Sequence, residues 1–236
     1  IKAFENLKTV KKAYGSYSKD VLVEAKNKEL VVKLIGINQD INKIEILNGR
    51  MPKDNTEVIV EQSMINKEKL KIGDYITVND DTIKNKRLKI VGIVKSPLYI
   101  TSETGTANRG NTNIGTGKIN YYAYTNSDNF NLDYYTEIYL TVNGASAETT
   151  NSDKYNNIIE KSLKEIDKIK KDREDLRYSK IYDDANNKIK EEQEKGQEKL
   201  DNAKNALDSA NEKLADGKNK LTSSKVKLDN AKTELN

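Results

Sequence analysis

The chain has 236 residues, of which 35% are hydrophobic and 33% are charged, and its 41 Lys and Arg side chains nearly balance 37 Asp and Glu. Basic and acidic residues are interleaved, so the pI of 8.8 does not indicate a nucleic-acid partner. Cysteine and histidine are both absent, which excludes Ser-His-Asp and Cys-His catalysis and most zinc sites. No apolar run reaches the roughly 18–20 residues that a membrane span needs.

The first part of the chain predicts short strands separated by turns. Residues 3–11 predict a short helix, and residues 13–23 and 29–37 predict a β-hairpin that turns at Lys26-Asn27-Lys28. Because turn signals recur about every eight to twelve residues, this part predicts a small antiparallel barrel or sandwich. The further predicted elements are a short helix at 63–69 and strands at 57–60, 75–78, 87–94, 118–125 and 136–142.

Residues 101–117 are rich in Thr, Gly, Asn and Ser and predict an exposed, flexible loop. Gly117-Lys118 resembles the end of a phosphate-binding loop. However, Thr112 stands where the upstream glycine is required, and Ile119 stands where Ser or Thr would hold magnesium. The segment is therefore interpreted as a loop without a phosphate site.

Two other patterns contain residue types that can bind ligands. Asp80-Asp81 and Asp183-Asp184 are carboxylate pairs, but neighbouring side chains point apart and no EF-hand spacing surrounds them. No metal or cofactor is therefore expected. Tyrosine rings can stack on sugars or bases. Because the sequence shows no basic groove, we interpret its strand tyrosines as half-buried sheet residues, and a binding surface that some of them line is the alternative. These tyrosines are Tyr121, Tyr122, Tyr124, Tyr134, Tyr135 and Tyr139.

The last third of the chain predicts helices. Residues 171–180 are charged and are compatible with either a short strand or a break in the helix. A second helix is expected to begin near Ile181. The predicted domains are an α+β core at residues 1–180 and a coiled-coil helix at residues 181–236. The first helix has an apolar stripe predicted to pack on the sheet, which consists of Tyr155, Ile158, Ile159, Leu163, Ile166 and Ile169.

The final stretch carries a leucine at every seventh position and a small residue three positions after each leucine. This 4-3 repeat predicts a coiled coil, and the small residues favour close approach of a second helix. Because one helix cannot bury such a seam, we expect a longer protein whose partner helix lies beyond Asn236 and forms an antiparallel hairpin; homodimerisation is the alternative. The seam consists of Gly196, Leu200, Ala203, Leu207, Ala210, Leu214, Gly217, Leu221, Ser224, Leu228, Ala231 and Leu235.

Several short motifs follow one another along the chain in a characteristic order and spacing. They are Asn48-Gly49-Arg50-Met51-Pro52, Glu57-Val58-Ile59-Val60, Leu70-Lys71-Ile72-Gly73-Asp74, Val91-Gly92-Ile93-Val94 and Ser96-Pro97-Leu98-Tyr99-Ile100, followed by residues 102–142 with Tyr135-Thr136-Glu137-Ile138-Tyr139. Together they resemble the extracellular domain of FtsX-like (MacB-type) ABC transporter permeases, in the Gram-positive branch that carries a long coiled coil.

The resemblance implies a small mixed or antiparallel β core with packing helices, followed by a long coiled-coil helix. It implies a non-enzymatic domain on the extracellular side of the cell membrane, which couples ATP-driven movement to substrate export or to an extracellular or cell-wall partner. The implied partners are a returning helix of the same full-length chain and a cytoplasmic ATPase subunit. A surface adhesin or stalk that binds glycan or protein is the alternative, and an enzyme based on an acidic pair remains formally open.

Overall fold

A computed structural model describes residues 1–99 and 109–234, arranged in two compact units, residues 1–167 and 168–236. The described residues of the first unit contain nine strands and two short α-helices, together with the beginning of a long third helix. In chain order, the helices and strands are α1 (Lys2–Glu5), β1 (Val10–Ser16), β2 (Ser18–Ala25), β3 (Lys28–Ile37), β4 (Glu45–Gly49), β5 (Glu57–Glu61), α2 (Gln62–Glu68), β6 (Tyr75–Val78), β7 (Arg87–Lys95), β8 (Tyr121–Asn126), β9 (Glu137–Val142) and α3 (Asp153–Glu234).

Six strands close into a ring in the order β7-β5-β8-β3-β2-β6, because β6 pairs with both β2 and β7. Strand β4 extends the sheet by pairing with the later residues of β7. Pairs β5–β7 and β3–β8 are parallel and the others are antiparallel. The predicted α+β class with a mixed core and a long C-terminal helix is confirmed. The narrower expectation of an antiparallel barrel or sandwich is wrong in its strand directions, since two pairs are parallel and α2 and β6 carry the chain between parallel β5 and β7.

The predicted hairpin is confirmed as β2–β3, with Ala25 opposite Lys28. Lys26 and Asn27 both have positive φ, 48° and 61°, as a two-residue turn that follows the strand twist requires. The predicted strand at 13–23 is two strands, separated at Tyr17. Strand β1 leaves the ring and pairs with β9 in a separate two-stranded sheet.

Apolar side chains fill the ring and also cover part of its outer face. Val23, Leu34, Val58 and Ile90 lie in the interior cluster and are fully buried. A second cluster outside the ring contains Ile35, Ile59, Val91, Val94, Tyr122 and Tyr124. Consecutive residues of β5 and β8 are therefore buried on both faces, which explains their continuous apolar sequences.

Two helix predictions need correction. The helix predicted at residues 3–11 ends at Glu5, because Val10 already begins β1. The break or strand considered at residues 171–180 is wrong, and so is a restart near Ile181. Helix α3 runs without interruption from Asp153 to Glu234. Residues 171–180 contain neither Gly nor Pro, and six of the ten are Lys, Arg, Glu or Leu, which have high helix propensity.

The apolar stripe at the start of α3 is only partly covered. Tyr155, Ile158, Ile159 and Ile166 are half-buried, whereas Leu163 is 53% exposed. Among the described residues, no helix is both long enough and apolar enough to cross a membrane.

Candidate functional sites

Four of the resemblance-bearing segments meet at one corner of the ring, formed by β4, β5, the α2–β6 turn and β7. Arg50 connects three of them: its guanidinium donates two hydrogen bonds to the Glu57 carboxylate, at 2.6 and 2.5 Å, and its backbone N–H donates to the carbonyl of Val91 at 3.0 Å. The backbone N–H of Lys53 also donates to Glu57, at 2.8 Å. The Arg50 hydrogen bonds, helped by that of Lys53, outweigh burial and lower the pKa of Glu57 to about 2.

Two glycines permit the close packing of this corner. Gly49 has φ +81°, and a Cβ there would run into the Val91 carbonyl oxygen. A Cβ on Gly92 would lie 2.6 Å from the Arg50 carbonyl oxygen and 3.0 Å from the side chain of Ile59. Both positions therefore require glycine because backbone lies where a side chain would project.

The turn that contains Leu70-Lys71-Ile72-Gly73-Asp74 attaches to the same corner. Gly73 donates its N–H to the carbonyl of Ile90 at 2.8 Å, and Ile90 donates to the carbonyl of Asp74 at 2.8 Å. The Asp74 carboxylate accepts a hydrogen bond from the N–H of Lys71 at 3.0 Å, which fixes the turn. The four segments thus form one hydrogen-bonded unit, which we call the motif corner.

A buried ion pair lies at the end of β5. Arg109 Nε is 2.8 Å from Glu61 Oε1, and both side chains are at most 10% exposed. Arg109 also donates to Glu61 Oε2 at 2.9 Å and to Ser63 Oγ at 3.1 Å. Burial raises the pKa of Glu61, and the Arg109 guanidinium opposes that shift.

A cavity of about 250 Å³ borders this pair, with Tyr99 and Tyr122 in its wall. Their rings stack with centroids 4.6 Å apart. Glu61 is paired with Arg109 in this wall, and the described residues of the lining include no second carboxylate. The described residues contain no group of three or more side chains suited to bind a metal ion.

Of the four aspartates in the two carboxylate pairs, Asp80 has a structural role and the other three are exposed. Asp80 closes a turn by accepting from Thr82 N–H at 2.8 Å, and it forms a salt bridge with Lys19 at 3.0 Å. Asp81 points to solvent beside Lys86. Asp183 and Asp184 lie on the exposed surface of α3.

The tyrosines do not form one exposed platform. Tyr121, Tyr122 and Tyr124 are buried in β8, as the sheet prediction implies, although they are more buried than expected. Tyr134 and Tyr135 are about half exposed, and Tyr135 packs against the ring of Tyr17. The phosphate-loop pattern also lacks its structural context, since Lys118 lies in a bridge just before β8 rather than at a helix start.

The helical seam lies within α3 and is exposed along its described length. Its leucines up to Leu228 are between 57% and 71% exposed. A Cβ on Gly196 or Gly217 would meet no atom within 4 Å. Leu235 lies outside the described residues.

Sequence reasoning missed two contacts at these sites. The motifs contained Arg50 and Glu57, but nothing local showed that they pair. The Glu61–Arg109 pair joins residues 48 positions apart. A charged residue that ends the buried run of β5 was the available signal, because such a residue normally needs a partner.

No protein-family model and no curated protein matches the chain. Solved structures that match include the extracellular domain of the noncanonic ABC-type transporter YknZ from Gram-positive bacteria. The two sequences are 16% identical, and the match covers 61% of this chain and 72% of that chain with a TM-score of 0.41. The periplasmic region of MacB from Actinobacillus actinomycetemcomitans matches with 13% identity, and this match covers 70% of this chain and 69% of that chain with a TM-score of 0.40. A domain of a protein described as a permease, from Porphyromonas gingivalis, matches with 13% identity, and this match covers 59% of this chain and 64% of that chain with a TM-score of 0.37.

Proposed function

We propose that the chain is the extracellular domain of an FtsX-like ABC transporter permease and that it has no catalytic role of its own. The motif corner carries the proposal. Short motifs scattered along a sequence resemble many families by chance, but Arg50, Glu57, Gly73 and Gly92 belong to segments that hold one another in place. The resemblance therefore rests on one structural unit whose parts depend on each other.

In this proposal, residues 168–236 transmit movement. The described part of this unit is entirely helical up to Glu234 and would extend roughly 100 Å at 1.5 Å per residue. A lone helix of this kind bends and frays, whereas two helices packed along a heptad seam are stiff. We propose that a returning helix of the full-length chain covers the seam and that the pair couples ATP-driven movement to a substrate or to an extracellular or cell-wall partner.

Cysteine labelling of the full-length protein tests the extracellular location. The chain contains no cysteine, so Asp81→Cys introduces a reactive thiol at a side chain that is 99% exposed. A membrane-impermeant maleimide should label this variant in intact cells as strongly as after lysis, with the unsubstituted protein as background. Labelling only after lysis would place the domain inside the cell and overturn the proposal.

Disulfide trapping in the full-length permease tests the returning helix. Ala203→Cys places a thiol on the seam, and Asn205→Cys places one on the opposite face of the same turn. With a second cysteine scanned along the returning segment, only Ala203→Cys should form a disulfide within one chain. Disulfides that form only between two chains would show that the hairpin is wrong.

ATP hydrolysis provides the functional measurement. If the helix pair follows the movement of the membrane part, locking it through Ala203→Cys should slow hydrolysis by the associated ATPase, and a reducing agent should restore the rate. The Asn205→Cys protein serves as the matched control under the same oxidation. An unchanged rate in the locked protein would mean that the helix pair is not coupled to the ATPase.

A further inference from the structure

Charge is sorted around the seam of α3. With leucines at heptad position a and small residues at d, positions e and g flank the seam on its two sides. Between residues 199 and 232, every lysine occupies an e or g position, and only Ala206 and Asn211 interrupt the two rows. The eight lysines are Lys199, Lys204, Lys213, Lys218, Lys220, Lys225, Lys227 and Lys232.

Acidic residues occupy the opposite face of the same stretch. The five between residues 199 and 233 all lie at positions b, c or f, away from the seam: Asp201, Asp208, Glu212, Asp216 and Asp229. All residues of this stretch are exposed. Over residues 199–232, none of the lysine ammonium groups lies within salt-bridge distance of a described carboxylate, unlike Lys195 with Glu192 nearby.

This arrangement specifies the charge of whatever helix covers the seam. Side chains at e and g of one helix face those positions on its partner, g against e in parallel pairs and like against like in antiparallel pairs. Two copies of this chain would therefore set lysine against lysine in either orientation. Like charges at such positions repel, so the two rows of lysine disfavour the homodimer that the leucine repeat alone leaves open.

We propose that the partner of this seam is a helix whose own apolar seam is flanked by Glu and Asp. The proposal rests on the helix pairing of the proposed function and adds the identity of the flanking residues. Carboxylates at these positions would pair with the lysine rows along both sides, and they would set the register of the two helices as well as their affinity.

A lysine-bordered apolar stripe could also bind an anionic lipid surface, but three features favour a helix. Interfacial helices bury a broad face rich in Trp, Phe and Leu, whereas the leucines of this stretch are confined to position a. Every d position from Gly196 to Ala231 is Gly, Ala or Ser, and no Trp or Phe lies in α3. The strict seven-residue repeat follows a neighbouring helix as it supercoils.

Designed peptides test the proposal on the 236-residue chain. Each peptide has about five heptads with Leu at a, Ala at d and neutral residues at b, c and f. One carries Glu at e and g, a second carries Gln, and a third carries Lys. By fluorescence anisotropy at low salt, the Glu peptide should bind about 100-fold more tightly than the Lys peptide, with the Gln peptide between them, and added salt should narrow the difference.

Substitutions in the chain provide the matched test. Changing Lys213, Lys218, Lys220 and Lys225 to Gln should weaken binding of the Glu peptide about tenfold, because four facing charge pairs are lost. The control changes Asn205, Asn219, Thr222 and Asn230 to Glu, which alters net charge equally but on the far face. This control should bind the Glu peptide nearly as the unsubstituted chain does, and circular dichroism verifies helicity in both variants.

The outcomes separate the two proposals. Equal binding of the Glu and Gln peptides would overturn the charge inference while leaving helix pairing intact. Binding of none of the three peptides would overturn both. Binding to vesicles of anionic phospholipid, without binding to any peptide, would assign the lysine rows to a membrane surface. Tight self-association of the chain in sedimentation equilibrium would also contradict the inference.

Discussion

Arg50 and Glu57 show how one residue pair holds several chain segments. The Glu57 carboxylate receives two bonds from Arg50 and one from the backbone of Lys53, in a nearly buried position at the start of β5. Its pKa is about 2 rather than the ordinary 4.5. Since folding lowers this pKa, the pair stabilises the folded state above pH 4.5, and that contribution is lost as the pH falls towards 2.

Arg50→Ala should therefore produce a stability loss that depends on pH. The difference in free energy of unfolding between the parent and Arg50→Ala should be greatest above pH 4.5 and shrink towards pH 2. Urea denaturation across this range measures it. Arg87→Ala is the control, because Arg87 lies over the ring of Tyr75 and its removal should not share this pH dependence. A loss for Arg50→Ala that stays constant with pH would contradict the role given to Glu57.

Gly92 offers a steric test of the motif corner. Gly92→Ala would place a methyl group 2.6 Å from the Arg50 carbonyl oxygen, and such crowding should lower the free energy of unfolding by about 1–3 kcal/mol. The same substitution at Gly217, where a Cβ meets nothing within 4 Å, is the control and should leave the core unaffected. Equal stability of Gly92→Ala and the parent would show that the corner is less tightly packed than these distances indicate.

At the level of elements, α3 contrasts with the strands of the core. β5 and β8 are stabilised by neighbours on both sides and by burial on both faces. The later part of α3 is exposed at every described residue from Tyr178 onward. Its helical structure in an isolated chain therefore depends on intrinsic propensity and on local pairs such as Lys195 with Glu192.

Replacing a glycine in this exposed helix should not lower the stability of the helix in the isolated chain. Gly217→Ala should stabilise the helix by about 1 kcal/mol, because alanine has the higher helix propensity and its methyl group meets open space. Helical ellipticity at 222 nm during thermal unfolding provides the measurement. Gly217→Leu is the informative comparison: it should also favour the helix in isolation, but it should weaken binding of the Glu peptide by blocking close approach. Unchanged peptide affinity would contradict the proposed close packing.

At the level of the whole molecule, the two compact units should differ in stability. Residues 1–167 contain the packed ring and its buried clusters, whereas residues 168–236 form the other unit. A region with few buried apolar contacts opens locally at low free energy, while a packed core does not.

Limited trypsin digestion should reveal this difference. The first cuts should fall among the exposed lysines of residues 168–236, leaving a resistant product that ends near residue 167. Addition of the Glu peptide should slow these cuts, and the Lys peptide is the control. Early cutting within the strands of the ring would contradict the assignment of stability to the core.

Local sequence patterns determined several elements of this protein correctly. Strands β5, β6 and β7 were predicted nearly to the residue, because apolar runs and turn residues are local signals. The hairpin at Lys26-Asn27 and the helical conformation of the last part of the chain were predicted for the same reason. The helical repeat also fixes which residues share a face, so the sorting of lysines beside the seam is already present in the sequence.

Only the tertiary structure decided how these elements combine. The closure of the ring through β6, the parallel pairing of β3 with β8 and the departure of β1 to β9 join residues far apart in sequence. The Glu61–Arg109 pair and the motif corner arise in the same way. Such contacts depend on packing of the whole core, so a short segment of sequence does not predict them. The periodicity of a helix, in contrast, can be recognised in any few consecutive turns of its sequence.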